Sequence, residues 1–385
     1  MKILMLTSRF GSGYGMGYSA YKEAKCFADF NHEVTLVHLN SDIDNYLDNR
    51  IKFIHLSIKK THLIDFIFLY FTLKNFLKTQ ININNFDVIY IQSLEFGLLK
   101  LSKIKKPIFY FSRSSMVGLQ NALRKERIHK TFLSQINHII LVRLEKRCMK
   151  YAKIVFVKSR NMASEVANLY NINSKKISVI TGGIDEKDYK TDSIKFCEKF
   201  RKKLLISPTA KIILYAGRIV PQKGLIYLIK ASLQLLKNYN FVVVVAGSRI
   251  DEIYSDSIMK LLNNSEYRKS FYFLGHINQL KMSSIFNIAD CVVTSSLYEP
   301  FGMVNLQAAF LGKNIITTDI TGSIDILRDY HNIKIIKSGS VEDAKTSLEE
   351  MLLSSKNKNN KQFDFSKYSW INVAKKILNL FQKEV

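Results

Sequence analysis

Two cations, Arg218 and Lys223, share the short segment GRIVPQKG (217–224). A guanidinium can hold phosphate oxygens bidentately, and an ammonium adds a point charge, so the pair suits a ligand carrying two phosphates. Gly217 ends the apolar run before it and lets the backbone turn, while Pro221 and Gly224 shape the rest of the loop. The plainer alternative is two solvated cations in a chain with 57 lysines and arginines. A second segment, EPFGMVNLQ (299–307), places the carboxylate of Glu299 before a proline, a turn at Gly302 and an apolar stretch that reads as a helix from Met303. A helix start offers unpaired N–H groups and the positive end of a dipole. A carboxylate for hydroxyls would thus stand beside amides for phosphate, as sugars and nucleotide diphosphates require. Glu299 could equally be an acid placed for the dipole alone. A third segment, GSGYGMG (11–17), lets backbone approach a ligand at Gly11, Gly13, Gly15 and Gly17. Its spacing departs from G-x-G-x-x-G, so it reads as a cleft loop and not a dinucleotide fingerprint, with YSAYKEAKCFADF continuing as a helix.

Other chemistries find little support. The eight histidines form no metal cluster or triad pattern, so neither metal nor cofactor is expected. His32 and His276 fall near element ends and read as structural. Cys26, Cys148, Cys197 and Cys291 are scattered without a C-x-x-C pair, which argues against a disulfide framework and fits a reducing cytoplasm.

Side chains so far apart in sequence need a scaffold to gather them. Short runs rich in β-branched and aromatic residues recur between longer helical patterns. They are KILMLT (2–7), EVTLVH (33–38), DVIYIQ (87–92), PIFYF (107–111), KIVFV (153–157) and ISVI (177–180) in the first half. In the second half they are KIILYA (211–216), FVVVVA (241–246), FYFL (271–274), DCVVTS (290–295), NIITT (314–318) and IKII (333–336). Runs such as FVVVV do not alternate, as expected of strands covered on both faces in parallel sheets. The βα rhythm predicts an α/β protein of two doubly wound domains. Their expected extents are 1–190 and 191–365, with 366–385 a closing helix that packs back toward the first. The charged segment 186–209 carries the boundary. Pro107, Pro208, Pro221 and Pro300 all fall at strand starts or turns, where they break no element. Ligands of such sheets bind beyond the carboxyl ends of strands, where all three segments above are placed.

With 385 residues and 47% hydrophobic content, the chain can bury two cores. The start, MKILMLTSRFGSG, reads as a first strand and lacks a cleavage-site pattern. LIDFIFLYF (63–71) is about half the length of a spanning helix, so a soluble or peripheral protein is expected. The formal net charge of +25 is uneven: between Lys100 and Arg160, sixteen lysines and arginines stand against two acids, Glu126 and Glu145. Leu119, Leu123, Phe132, Ile136, Ile140, Leu144 and Cys148 recur there near helical spacing with cations between them. Such a block suggests an anionic partner, a membrane surface above all, or a merely solvated face. Nucleic acid is not expected, because no recognition motif accompanies the charge.

AGRIVPQKG, GHI, ITGGID, NHEVTLV and IADCVVTSSLYEPFGMVNLQAAFLGKNIITTDITG together resemble retaining nucleotide-sugar glycosyltransferases with two Rossmann-like domains facing a cleft, the GT-B type. The resemblance is to the group 1 family that includes bacterial mannosyl- and glucosyltransferases acting on lipids and polysaccharides. It is strongest over 211–322 and weakest over 40–140. It implies that Arg218 and Lys223 bind the donor diphosphate and steady it as it leaves. Glu299 would contact the donor sugar, with Gly217, Phe301, Gly302, Met303 and Val304 nearby, and Gly15 and Gly17 would close over the donor from the other domain. Where the family commonly has a second glutamate on the ribose, this chain has Gln307, which keeps hydrogen-bonding capacity but loses charge assistance. Where many relatives carry a His or an Asp, it has Ser112 and Arg113. The resemblance implies a metal-independent, retaining enzyme acting on a glycolipid, a polyprenyl-linked sugar or a polysaccharide. The basic block suggests that a cytoplasmic protein meets a membrane-borne acceptor at the inner face of the cytoplasmic membrane, with a soluble acceptor as the alternative. A nucleotide-sugar epimerase and a nonenzymatic nucleotide-sugar-binding protein remain open on the sequence.

Overall fold

The computed structural model describes residues 1–8, 15–39, 48–56, 65–126, 132–189, 193–354 and 363–385. Gly11 and Gly13 lie outside them. The chain divides into two units: the first is Met1–Gln120, His129–Gly183 and Ser366–Val385, the second Asn121–Ile128 and Ile184–Phe365.

In the first unit, β1 (Lys2–Thr7), β2 (Glu33–His38), β3 (Ile51–His55), β4 (Val88–Ile91), β5 (Ile108–Phe111), β6 (Ile154–Val157) and β7 (Ile177–Val179) form a sheet of order β3-β2-β1-β4-β5-β6-β7. In the second, β8 (Lys211–Ala216), β9 (Phe241–Ala246), β10 (Phe271–Gly275), β11 (Cys291–Thr294), β12 (Asn314–Thr318) and β13 (Ile333–Ile336) take the order β10-β9-β8-β11-β12-β13. Every pairing is parallel, and β9 is buried along its whole length, as expected of a strand covered on both faces. The expected α/β architecture of two parallel sheets is therefore present. β3 is the strand that sequence patterning passes over. It is an edge strand, paired only to β2 and half exposed, so Lys52 and His55 interrupt the apolar run that marks the others.

The first unit's helices are α1 (Gly15–Asp29), α2 (Asp65–Thr79), the first half of α3 (Met116–Lys125), whose residues after Gln120 fall in the second unit, α4 (Phe132–Tyr151) and α5 (Arg160–Tyr170). The second unit adds α6 (Ser193–Lys203), α7 (Leu225–Leu235), α8 (Glu252–Asn263), α9 (Gln279–Ile288), α10 (Met303–Phe310), α11 (Ile324–Leu327) and α12 (Val341–Leu353). The last helix, α13 (Trp370–Gln382), returns to the first unit. Ser369 caps it by accepting from the Asn372 amide, and Trp370, Val373, Ala374, Ile377, Leu378 and Phe381 form its buried stripe. Phe381 packs with ring centroids 5.9 Å from Phe27, 5.3 Å from Tyr90 and 4.5 Å from Phe109. Full burial of one such ring contributes about 1.5–3 kcal/mol. The division between units falls at Gly183, earlier than the expected 190, because Ile184 and Tyr189 are buried in the second unit's core with Ile206 and Ile212.

The basic block resolves into separate pieces. Within α4, Leu144, Cys148 and Met149 face inward, while Arg143, Lys146, Arg147 and Lys150 are exposed. Two of the block's cations, Arg113 and Lys158, turn inward instead, so the charge is not all outward-facing. Glu145 is also buried. It accepts hydrogen bonds from the Tyr170 hydroxyl, from Ser112 Oγ at 3.2 Å and from the Met116 amide at 3.0 Å, which ties down the start of α3. Burial pushes its carboxyl up to about 7, against the pull of those three donors.

Candidate functional site

The second sheet reverses direction between β8 and β11. The chain leaves β8 for β9 on one side, and β11 lies on the other. A crevice beyond the carboxyl ends at such a switch point is where open α/β sheets bind ligands. The loop after β8 holds Gly217, Arg218 and a 3₁₀ turn, Pro221–Lys223, and the loop after β11 holds Ser295–Gly302. The two are sewn together. The Leu297 amide donates to Gln222 O at 2.8 Å, Gln222 Nε2 donates to Tyr298 O at 3.1 Å, and Ser295 Oγ donates to Gly224 O at 2.9 Å. Beneath them the buried Tyr215 hydroxyl lies 3.1 Å from Arg218 O and 3.4 Å from Lys223 O. Gly224 closes the turn with φ +63°, and a Cβ there would lie 1.9 Å from the Ser295 carbonyl oxygen.

This stitching brings Lys223 Nζ to 2.5 Å from Glu299 Oε2, with the two side chains 20% and 15% exposed. The pair is thus partly withdrawn from water, where a charge interaction is stronger than on an open surface. Sequence reasoning expects both residues at one ligand. It does not anticipate that they hold each other. Arg218, on the same loop, is exposed.

Glu299 leads into α10. Its carbonyl accepts from the Gly322 amide at 3.1 Å, and that of Phe301 from the Ser323 amide at 2.5 Å. Gly302 precedes the helix at φ +92°, with the Thr321 methyl only 2.7 Å from where a Cβ would stand. Below lies a buried hydroxyl–amide network. Thr294 Oγ1 donates to Asn305 Oδ1 at 2.9 Å, and Asn305 Nδ2 reaches Thr317 Oγ1 at 2.8 Å and Ser323 Oγ at 3.2 Å. Thr317 Oγ1 also bonds Thr321 Oγ1 at 3.1 Å. The network anchors the first turn of α10 to the ends of β11 and β12, leaving its leading amides without intrahelical partners. Phe301 and Gln307 are buried, and Met303 and Val304 are half-buried.

Residues 196–369 match the family model for Glycosyl transferases group 1, and residues 14–188 match that for Glycosyltransferase Family 4. The chain belongs to the group 1 glycosyltransferase family. It is 29% identical over 235 residues to an uncharacterized glycosyltransferase of Methanocaldococcus jannaschii, covering 59% of each chain. It is also 29% identical over 211 residues to the lipopolysaccharide 1,2-N-acetylglucosaminetransferase of Salmonella typhimurium, covering 52% of this chain and 55% of that one. The chain thus spans a little over half the length of these two curated relatives. Among solved structures it superposes on sucrose-phosphate synthase from Thermosynechococcus elongatus with TM-score 0.81 at 16% identity, covering 100% of this chain and 99% of that one. It superposes on Anabaena HepE in complex with UDP-glucose with TM-score 0.74 at 16% identity over the whole of both chains. At that identity the likeness establishes the fold, which is that of the GT-B glycosyltransferases.

Within this family member, the second unit brings together Gly217, Arg218, Lys223, Glu299, Phe301, Gly302, Met303, Val304 and Gln307. Gly15 and Gly17 belong to the first unit and open α1, where a loop was expected. Sequence reasoning missed Asn305, its hydroxyl partners, and Gly247, whose Cβ would sit 1.8 Å from Gly217 O. Only the glycine left a signal, standing immediately after a strand as Gly217 does.

Proposed function

We propose that this chain transfers a sugar from a nucleotide-diphospho-sugar to an acceptor hydroxyl with retention of anomeric configuration. The observation that carries the reading is the Lys223–Glu299 pair, held at the switch point of the second sheet beside the start of α10. In this reading the donor diphosphate takes Lys223, Arg218 and the first amides of α10, while Glu299 turns to the sugar hydroxyls. The bond from anomeric carbon to diphosphate oxygen breaks as the acceptor oxygen bonds that carbon on the same face. The acceptor proton passes to a phosphate oxygen, which leaves with the bonding pair. Negative charge then grows where cations and amides are already aimed. Those groups supply the positive charge at the diphosphate, so the reading calls for no metal.

A thermal-shift screen of nucleotide sugars tests this first, because a tight ligand stabilises by mass action. Donor-only incubation then separates slow hydrolysis by a transferase from epimerisation or binding alone. Gln307, buried in the second turn of α10, is assigned to the ribose. Gln307→Glu should leave kcat within about two-fold and tighten donor KM, the charge-assisted bond being roughly twice as strong as a neutral one. An inactive, folded Gln307→Glu enzyme would remove Gln307 from that role.

The acceptor is assigned to cell-envelope chemistry, a glycolipid, polyprenyl-linked sugar or polysaccharide, met at the cytoplasmic leaflet. Among the described residues no helix is long and apolar enough to cross a membrane. α4 exposes Arg143, Lys146, Arg147 and Lys150, and α2 of the same unit exposes Phe68 and Phe71. Each cation near an anionic bilayer is worth about 1 kcal/mol, enough together for reversible binding. Sedimentation at low salt should show binding to anionic and not to neutral liposomes, with release as salt is raised. Failure to bind either kind would leave these cations as a solvated face.

A further inference from the structure

A second cluster of charge lies in the first unit, wholly outside the donor loops. Gln92 is the first residue after β4, Arg113 follows β5 by two, and Lys158 is the first after β6. All three thus stand at the carboxyl ends of adjacent strands, the ligand-binding edge of such a sheet. Glu23 reaches them from α1 and is fully buried. Its carboxylate is saturated: Tyr90 Oη donates to Oε2 at 2.8 Å, Gln92 Nε2 donates to Oε2 at 2.6 Å, and Arg113 Nη2 donates to Oε1 at 3.1 Å. Arg113 Nη2 also donates to Gln92 Oε1 at 2.8 Å.

The cations are not saturated. Arg113 Nε is buried without a hydrogen-bond partner, and so is Lys158 Nζ. Lys158 is 6% exposed, and its amine and the Arg113 guanidinium each stand 4.4 Å from the centre of the Phe111 ring. Arg113 and Lys158 face one carboxylate, so the cluster carries one excess positive charge whenever Lys158 is protonated, and it has unused N–H donors in either state. A buried ammonium without a hydrogen-bond partner is costly, and a ring face offsets only part of that cost. Burial, and next the repulsion of Arg113, pushes the Lys158 amine down to about 7, while Glu23 opposes the shift. An arriving oxyanion would neutralise the excess and occupy the unused donors. A tenth of the Arg113 side chain remains open to solvent.

We propose that Lys158 and the Nε edge of Arg113 form an oxyanion subsite, which holds a carboxylate or phosphate group of the acceptor. Assigning the anion to the acceptor rests on the transferase reading above; the subsite itself does not. Glu23, Tyr90 and Gln92 act as positioning residues by locking the other edge of the guanidinium.

The test is calorimetric titration of the full chain with inorganic phosphate and, separately, glucuronate, alongside thermal unfolding. Wild type is expected to bind at least one probe, and the one that binds tells a phosphate ester from a carboxylate acceptor. Lys158→Met keeps the stem over Phe111 and removes the charge. It should weaken the bound probe at least ten-fold, raise the melting temperature of the free protein, and abolish the probe's stabilising effect. Lys223→Ala should leave probe binding unchanged. No binding of either probe by wild type overturns the proposal. So does equal binding by Lys158→Met, or loss of binding in Lys223→Ala alone. A lower melting temperature for Lys158→Met also overturns it, since Lys158 would then be a structural counter-ion to Glu23. Probe binding through Lys158 in a protein that binds no nucleotide sugar would refute the transferase reading and leave the subsite standing.

Discussion

Lys223→Ala is expected to lower kcat roughly 10²–10³-fold while the protein stays folded, because one preorganised contact to developing charge is worth about 3 kcal/mol. The ammonium lies on a loop held by backbone and side-chain bonds that the substitution does not touch, those of Gln222, Gly224 and Tyr215. Stability should therefore change little. Removing Lys223 leaves Glu299 without its partner, yet its carboxylate is 15% exposed and can be met by water. Arg218→Ala should show the same pattern, since the proposed function gives this exposed guanidinium the same diphosphate. Initial rates with varied donor, together with melting curves, decide the matter. Turnover within about three-fold of wild type in folded Lys223→Ala would remove that lysine from the chemistry.

Gly224→Ala should be the most damaging single substitution to the structure of the site. Two penalties combine: a left-handed backbone, costing about 1–2 kcal/mol without glycine, and a methyl carbon 1.9 Å from a carbonyl oxygen that belongs to backbone and cannot swing aside. The sum is about 3 kcal/mol or more, or a fall in melting temperature of roughly 6–12 °C for a unit of this size. Gly312→Ala is the matched control, because Gly312 has φ +67° and nothing within 4 Å of the added carbon. It should cost only the backbone penalty. Equal shifts in the two variants would show that the β8 and β11 loops do not approach as closely as described.

These two residues mark what could be read from sequence. The composition of the loops was legible, since glycine at a turn, cations after a strand and an acid before a helix are local signals, and twelve strands stood out as short runs rich in β-branched and aromatic residues. The edge strand β3 did not, since exposure on one side mixes its composition. The Lys223–Glu299 bond spans 76 positions, and no local pattern encodes it. The network around Asn305 draws single residues from two strand ends and the turn at 321–323, each unremarked in its own neighbourhood. Arg113 and Lys158 fall within the basic block, whose composition alone suggests a surface for an anionic partner or a solvated face. A count of lysines carries no information about facing, and at these two strand ends the side chains lie against Glu23, Gln92 and Phe111 instead of solvent.

The Lys223–Glu299 ion pair also bears on what the proposed donor site would ignore. A loop with two bare cations would collect any small phosphate in the cell. Here Glu299 already occupies Lys223, so every anion must first displace a carboxylate held 2.5 Å away. A lone inorganic phosphate exchanges one ionic contact for another and gains little. On the proposed reading a nucleotide sugar would bring a second phosphate to Arg218 and sugar hydroxyls to the displaced carboxylate, so that the broken pair is offset on both sides. Selectivity for the complete donor would then be set within the protein itself, by a competitor that is always present at the same effective concentration.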